Sequence, residues 1–316
     1  MEQRSLGRSG IKVPPLMFGG NVFGWTIDKA QSHRILDRLV DTGLYAIDTA
    51  DVYSAWAPGH QGGESETIIG EWLKASGKRS QVVIATKVGM KMGSGDQGLS
   101  RDWIMQEVEA SLRRLQTDVI DLYQAHKDDE TVPLEETLGA FAELVKAGKV
   151  RAIGASNYSA PRLKQALEVS AREGLPRYET LQPLYNLMDR KVFEEALGPL
   201  CQAEGIGVIN YYALASGFLS GKYRSEADFG KSKRGGNMGK YLTPRGHKVL
   251  AALDAVAGET AATPAQVAIA WLLAKPAVTA PIASATSLEQ LGDLLGATVL
   301  GLSPAQVAAL DEASAE

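Results

Sequence analysis

The stretch AIDTADVYSAWAPG at 46–59 carries Asp48, Asp51 and Tyr53 directly behind an apolar run. Two further apolar runs end in the same manner: VVIATK closes on Lys87 and VIDLYQAH on His126. A carboxylate, an ammonium, a phenol and an imidazole form a set able to pass a proton to or from a carbonyl or alcohol oxygen. Asp48 and Lys87 can neutralise each other, and the ammonium can favour the phenolate of Tyr53, drawing its pKa below about 10. His126 can donate a hydrogen bond that orients or polarises a carbonyl. Together these groups are the proton half of carbonyl reduction, whose hydride has to come from a cofactor. Each residue alone has an ordinary role: Asp48 as a loop cap, Lys87 as a rim charge, His126 as a structural histidine, Tyr53 as a packed aromatic. Their convergence on one rim is what argues for a site, because desolvated charges there need partners.

Such convergence needs a scaffold that ends several strands at the same mouth. Short β-rich runs alternate with amphipathic segments eight times along the chain. The segment RDWIMQEVEASLRRL, for example, repeats Ile104, Val108, Leu112 and Leu115 at helical spacing. Parallel strands require crossovers long enough for a helix, and eight units in 316 residues suit a closed (β/α)8 TIM barrel of the α/β class. The first strand–helix turn lacks G-x-G-x-x-G, which weakens an open dinucleotide-binding sheet. Residues 1–13 read as an N-terminal β-hairpin around Arg8-Ser9-Gly10, and 303–314 as a C-terminal helix opened by Ser303 and Pro304. Between the seventh and eighth strands the reading has a long Gly-rich loop at 212–242 and one helix at 243–259. No linker divides the chain, so 1–316 is expected to be a single domain.

Composition narrows the partners. With 45% hydrophobic and 22% charged residues the chain can bury a large core. A net charge of -4 without a basic cluster argues against nucleic acid or an anionic membrane, and no apolar run has membrane-spanning length. The N-terminal residues lack a secretory apolar segment, so a cytoplasmic location is expected. The lone Cys201 excludes an intrachain disulfide, and His33, His60, His126 and His247 lie in separate elements, so no metal site is expected.

In order and spacing, IDTADVY, VIATKVG, IDLYQAHKDD, GESETIIGEWL, VRAIGASNY, LQPLYNLMDR, NYYALASGFLSGKY and PIASATSLEQL resemble the aldo-keto reductase superfamily. The resemblance spans about residues 3–300 and touches the branch of the potassium-channel β subunits. It implies an NAD(P)-dependent oxidoreductase that reduces an aldehyde or ketone to an alcohol, with Tyr53 as general acid, Asp48 and Lys87 tuning it, and His126 orienting the carbonyl. Ser156, Asn157 and Gln182 match positions that hold the nicotinamide carboxamide, and Tyr211 the aromatic stacked on its ring. Tyr212, Ala213, Leu214, Ser216, Gly217 and Lys222, with Arg234 beyond them, match the phosphate loop. Ser284, Thr286, Gln290 and Asp293 match the adenosine-phosphate contacts. Many relatives carry Arg or Lys near Thr286 and Asn in place of Asp293, so NADP(H) is implied by the resemblance with NAD(H) as the alternative. Trp25 and Trp56, from the first and second loops, are expected to overhang the substrate. Two rivals stand beside this reading: a cofactor-binding sensor subunit with little turnover, and a Schiff-base enzyme using Lys87. The carbonyl or alcohol substrate and the oligomeric state are left open.

Overall fold

The computed structural model describes residues 2–232 and 235–315. Strands β1 (Arg4–Ser5) and β2 (Lys12–Val13) pair antiparallel as the expected hairpin. The parallel sheet takes β3 (Met17–Gly19), β4 (Ala46–Asp48), β5 (Val83–Val88), β6 (Ile120–Ala125), β7 (Val150–Ser156), β8 (Tyr178–Gln182), β9 (Gly207–Val208) and β10 (Ile282–Ala283). Its order is β10-β3-β4-β5-β6-β7-β8-β9. The open ends of that order meet: Thr279 N–H donates to the Val208 carbonyl at 2.8 Å and Ile282 N–H to that of Asn210 at 2.9 Å. The sheet is thus a barrel.

Helices α1 (Lys29–Thr42), α2 (Glu64–Ser76), α3 (Arg101–Leu115), α4 (Leu134–Lys146), α5 (Ala160–Glu173) and α6 (Gly198–Glu204) each follow a barrel strand. They are followed by α7 (Pro244–Thr260), α8 (Pro264–Leu273), α9 (Leu288–Ala297) and α10 (Pro304–Ala313). Local sequence sets these boundaries. Asp28, Ser100, Ser159, Thr243, Thr263, Ser287 and Ser303 each accept a backbone N–H from the first turn of the helix they open. Two expectations are corrected. The stretch 212–242 holds 3-10 segments at Ala215–Ser220, Glu226–Lys231 and Gly235–Tyr241, and α8 is a second helix before β10. Because α8 buries Val267 through Leu272 continuously, it has no amphipathic period by which to be found.

The period-two alternation of the strands sorts residues between two cores. Ala46, Val83, Ala85 and Leu122 face the barrel interior with Leu6, Ile11 and Val13 of the hairpin region, which close its floor. Ile47, Ile84, Val88 and Tyr123 face outward into the larger layer beneath the helices, where Cys201 is also buried. That alternation aims Asp48, Lys87 and Gln124 inward one step above the apolar floor. A Cβ at Gly70 would lie 2.0 Å from the Arg114 carbonyl oxygen, so glycine there lets α2 and α3 pack closely. Among the described residues, no helix is long and apolar enough to cross a membrane.

Candidate active site

Lys87 is fully buried at the inner face of β5, where three oxygens surround its Nζ. They are Asp48 Oδ2 at 2.7 Å, the Thr49 carbonyl at 2.7 Å and the Tyr53 hydroxyl at 2.9 Å. An ammonium has three N–H donors, and each has an acceptor here. The second oxygen of Asp48 accepts from Gln182 Nε2 at 2.9 Å, and Gln182 also reaches Gln124 Oε1 at 3.4 Å. The Tyr53 hydroxyl in turn reaches Asp48 Oδ2 at 3.3 Å. Burial pushes the Lys87 ammonium below the ordinary lysine range, and the Asp48 carboxylate opposes that push.

Tyr53 departs from the expected direction. Its pKa stands well above the usual phenol value, first because the ring is desolvated and then because Asp48 is adjacent. The ammonium alone would favour phenolate, but removal from water and a neighbouring carboxylate both penalise a second negative charge. The phenol therefore keeps its proton at neutral pH. His126 follows β6, with its N–H on the Val88 carbonyl at 2.8 Å and its ring 6.0 Å from that of Tyr53. Burial, followed by the charges of Lys87 and Lys127, pushes the imidazole well below its usual range. A neutral ring still offers one N–H donor, and its Nδ1 is buried without a protein partner.

Among the remaining sequence-derived residues, Ser156, Asn157 and Tyr211 connect to this centre through hydrogen bonds. Ser156 Oγ donates to the Gln182 carbonyl at 2.8 Å, and Asn157 Nδ2 to that of His126 at 2.9 Å. The Tyr211 hydroxyl donates to Asn157 Oδ1 at 2.8 Å, linking the ends of β7 and β9. Asn157 holds this place with φ 55, a left-handed conformation that asparagine tolerates better than most residues. Tyr212 is exposed with φ 54, Ala213 is buried and Leu214 half-buried. Ala215, Ser216 and Gly217 then follow with φ 47, 57 and 104. Ala215 N–H donates to the Tyr212 carbonyl at 2.7 Å and Gly217 N–H to that of Leu214 at 2.8 Å, so this left-handed turn closes on its own carbonyls. A Cβ at Gly217 would lie 3.6 Å from Lys222 Nζ, so this cation borders that turn. Arg234 lies outside the described residues.

At the end of β10, Ser284 Oγ lies 2.7 Å from Asn21 Oδ1, while Thr286 uses both its N–H and its hydroxyl on Gln290 Oε1. Asp293 is half-buried further along α9. Arg34 is an addition that sequence reasoning missed: it bonds Gln31 Oε1, and Gln31 Nε2 donates to the Thr286 carbonyl at 3.3 Å. Its position three residues after Gln31 on α1 carried no signal without the barrel closure that brings β10 beside β3. Gln124 was missed as well, although its place two residues after Leu122 and two before His126 marks the inner face of β6.

Trp25 and Trp56 meet edge to face at 5.4 Å, and Trp56 meets the Tyr53 ring at 5.8 Å. Trp56 is 48% exposed. Trp56 thus stands between Trp25 and the Tyr53 ring, and the two indoles form an apolar rim beside the phenol.

The sequence matches the aldo/keto reductase family over residues 15–315. It is 36% identical over 310 residues to the uncharacterized oxidoreductase YrpG of Bacillus subtilis, covering 96% of this chain and 92% of that protein. Similarity extends to a putative voltage-gated potassium channel subunit beta of Schizosaccharomyces pombe, 34% identical over 91% of this chain and 85% of that one. An L-glyceraldehyde 3-phosphate reductase of Escherichia coli O157:H7 is 32% identical, with 92% and 86% covered. With the barrel and the four side chains at its mouth, this match over nearly the whole chain places the protein in the aldo/keto reductase family.

Proposed function

We propose that this protein reduces an aldehyde or ketone to an alcohol, reversibly, with a nicotinamide dinucleotide as the hydride source and Tyr53 as the general acid. The observation that carries this reading is the hydroxyl of Tyr53, 2.9 Å from the buried Lys87 ammonium. Tyr53 gives its proton to the carbonyl oxygen, and the phenolate left behind faces that ammonium, whose charge Asp48 holds in place. His126, as a neutral imidazole, donates the hydrogen bond that orients the carbonyl. Gln182 keeps the second oxygen of Asp48 occupied and fixes the carboxylate's orientation.

The residues present fit a nicotinamide dinucleotide. Ser156, Asn157 and Gln182 surround one polar edge, Tyr211 offers an aromatic face, and Lys222 beside the Ala215–Gly217 turn offers a cation to a pyrophosphate. When bound, the cofactor supplies the hydride. NADP(H) is the reading, with Arg34 and Gln31 beside Thr286 and Gln290 for the adenosine phosphate; the acidic Asp293 leaves NAD(H) as the alternative. The Trp25–Trp56 rim fits a carbonyl substrate with an apolar face. A Schiff-base role for Lys87 is disfavoured because its amine would need a free lone pair, whereas all three N–H donors are engaged.

The test is NADPH and NADH oxidation against a panel of aldehydes, ketones and sugars, repeated with Tyr53→Phe. Loss of turnover by about 10²–10⁴-fold with unchanged cofactor affinity is expected when only the proton donor is removed. Unchanged kcat in Tyr53→Phe would overturn the assignment, and cofactor binding without turnover on any carbonyl would favour a sensor subunit.

A further inference from the structure

Asp51 lies between Asp48 and Tyr53 and is fully buried, yet it takes no part in the chemistry described above. Its side chain faces outward, into a layer between the sheet and helices α2 and α3. One oxygen accepts the Val52 N–H at 2.6 Å, while Oδ2 has no protein partner. The Asp51 N–H donates to the Lys87 carbonyl, so β5 is directly beneath it. From α2 comes Glu66, fully buried, bound to Thr86 Oγ1 and to Arg114 Nε at 2.7 Å. From α3 come Glu107 and Arg114, which are paired with each other. From β6 comes Tyr123, fully buried, its hydroxyl also without a protein partner.

Charge counting singles out Asp51. Arg114 divides its guanidinium between Glu66 and Glu107, and the Lys87 ammonium points to the opposite side of β5, towards Asp48. Three buried carboxyl groups therefore share one cation, and Asp51 is the one that does not touch it. An unpaired carboxylate is costly without water, so the proton stays on Asp51. Desolvation, followed by the charges of Glu66 and Glu107, pushes this carboxyl in the same direction, well above the ordinary range. The turn that Asp51 begins also carries Tyr53. Tyr53 N–H donates to the Ala50 carbonyl at 3.2 Å, and Ser54, fully buried with φ 77, donates its hydroxyl to the Phe23 carbonyl at 3.0 Å.

We propose that Asp51 is a positioning residue for Tyr53: as the neutral acid it seats the 50–53 turn against α3 and β6, and as a carboxylate it drives that turn outward and takes the phenol away from Lys87. This rests on the reading of Tyr53 as the acid. Asn is the neutral isostere, with one acceptor and one donor in the same places but no proton to lose. Ala removes the seat altogether.

The full-length protein, Asp51→Asn and Asp51→Ala are compared by three measurements: the pH profile of kcat, tryptophan fluorescence against pH, and melting temperature against pH. Because Trp56 packs on the Tyr53 ring, its fluorescence reports the turn without any turnover. In the unsubstituted protein, kcat falls towards alkaline pH together with a fluorescence change. Asp51→Asn keeps neutral-pH kcat within about twofold of the unsubstituted protein and moves both transitions up by about one pH unit or more. Asp51→Ala lowers kcat by about tenfold or more while cofactor affinity holds. The melting arm has a fixed sign. A carboxyl whose folded pKa is raised contributes stability that is complete below the unfolded value of about 3.9 and lost as pH rises through the folded value. The melting advantage of Asp51→Asn over the unsubstituted protein therefore widens as pH rises. Identical fluorescence and melting profiles in Asp51→Asn and the unsubstituted protein would overturn the proposal, as would an Asn variant as impaired as Ala. If no carbonyl is turned over at all, the reductase reading fails, while fluorescence and melting still decide the role of Asp51.

Discussion

Two buried charge clusters lie back to back on either side of β5. On the inner side, Lys87 and Asp48 balance one to one, and the ammonium has an acceptor for every N–H. On the outer side, Arg114 faces Glu66, Glu107 and Asp51, an excess of acid over base that leaves Asp51 Oδ2 unbonded. Lys87 and the carboxyl groups of both clusters are shut away from water, whereas the Arg114 side chain stays 21% exposed, so the buried members need compensation within the protein. The inner cluster achieves it by pairing and is ready to stabilise a charge formed beside it. The outer cluster achieves it by retaining a proton. One strand thus separates a site adapted to create charge from a wall adapted to suppress it, with the 50–53 turn spanning both.

Breaking the inner pair is expected to have the largest effect. Lys87→Met leaves the Asp48 carboxyl buried and without a cation, and should cost about 3–5 kcal/mol of stability as well as the turnover. Denaturant unfolding measures the first and cofactor oxidation the second. Breaking the outer pair with Arg114→Met should cost less, because carboxyl groups there can take up protons. Removing the cation takes away what opposes the upward push of burial on Glu107, so the loss grows with pH. We expect about 3 kcal/mol near pH 8 and about 1 kcal/mol near pH 5. A loss independent of pH in denaturant titrations would erase the distinction between the two clusters. The smallest effect lies away from both: Arg34→Ala should raise KM for NADPH more than KM for NADH and leave the melting temperature in place, as initial-rate kinetics and thermal unfolding would show.

What the sequence revealed and what it hid follow the same division. Asp48, Lys87 and His126 were legible because each interrupts an apolar strand at its end, and the eight strand–helix units supplied the geometry that joins them. The hairpin and the Ser303-capped helix were legible from turn and cap chemistry. Asp51 was not, because a carboxylate two residues before a tyrosine reads as a loop residue until α2, α3 and β6 close over it. The direction of the Tyr53 pKa was misread for a related reason: spacing shows which charges are near but not how much water is left. Helix α8 escaped because burial on all sides erases periodicity. Arg34 and Gln31 acquired meaning only when barrel closure brought α1 to the end of β10.

The burial of Cys201 has a practical side. It is the chain's one cysteine, it is 1% exposed, and desolvation pushes its thiol up to about 12. At neutral pH only about one molecule in 10⁵ carries the thiolate that oxidants and alkylating reagents attack. A cysteine introduced at the exposed position of Trp56 would then be the thiol that reacts, giving a spectroscopic label beside the Tyr53 turn against a chemically silent background.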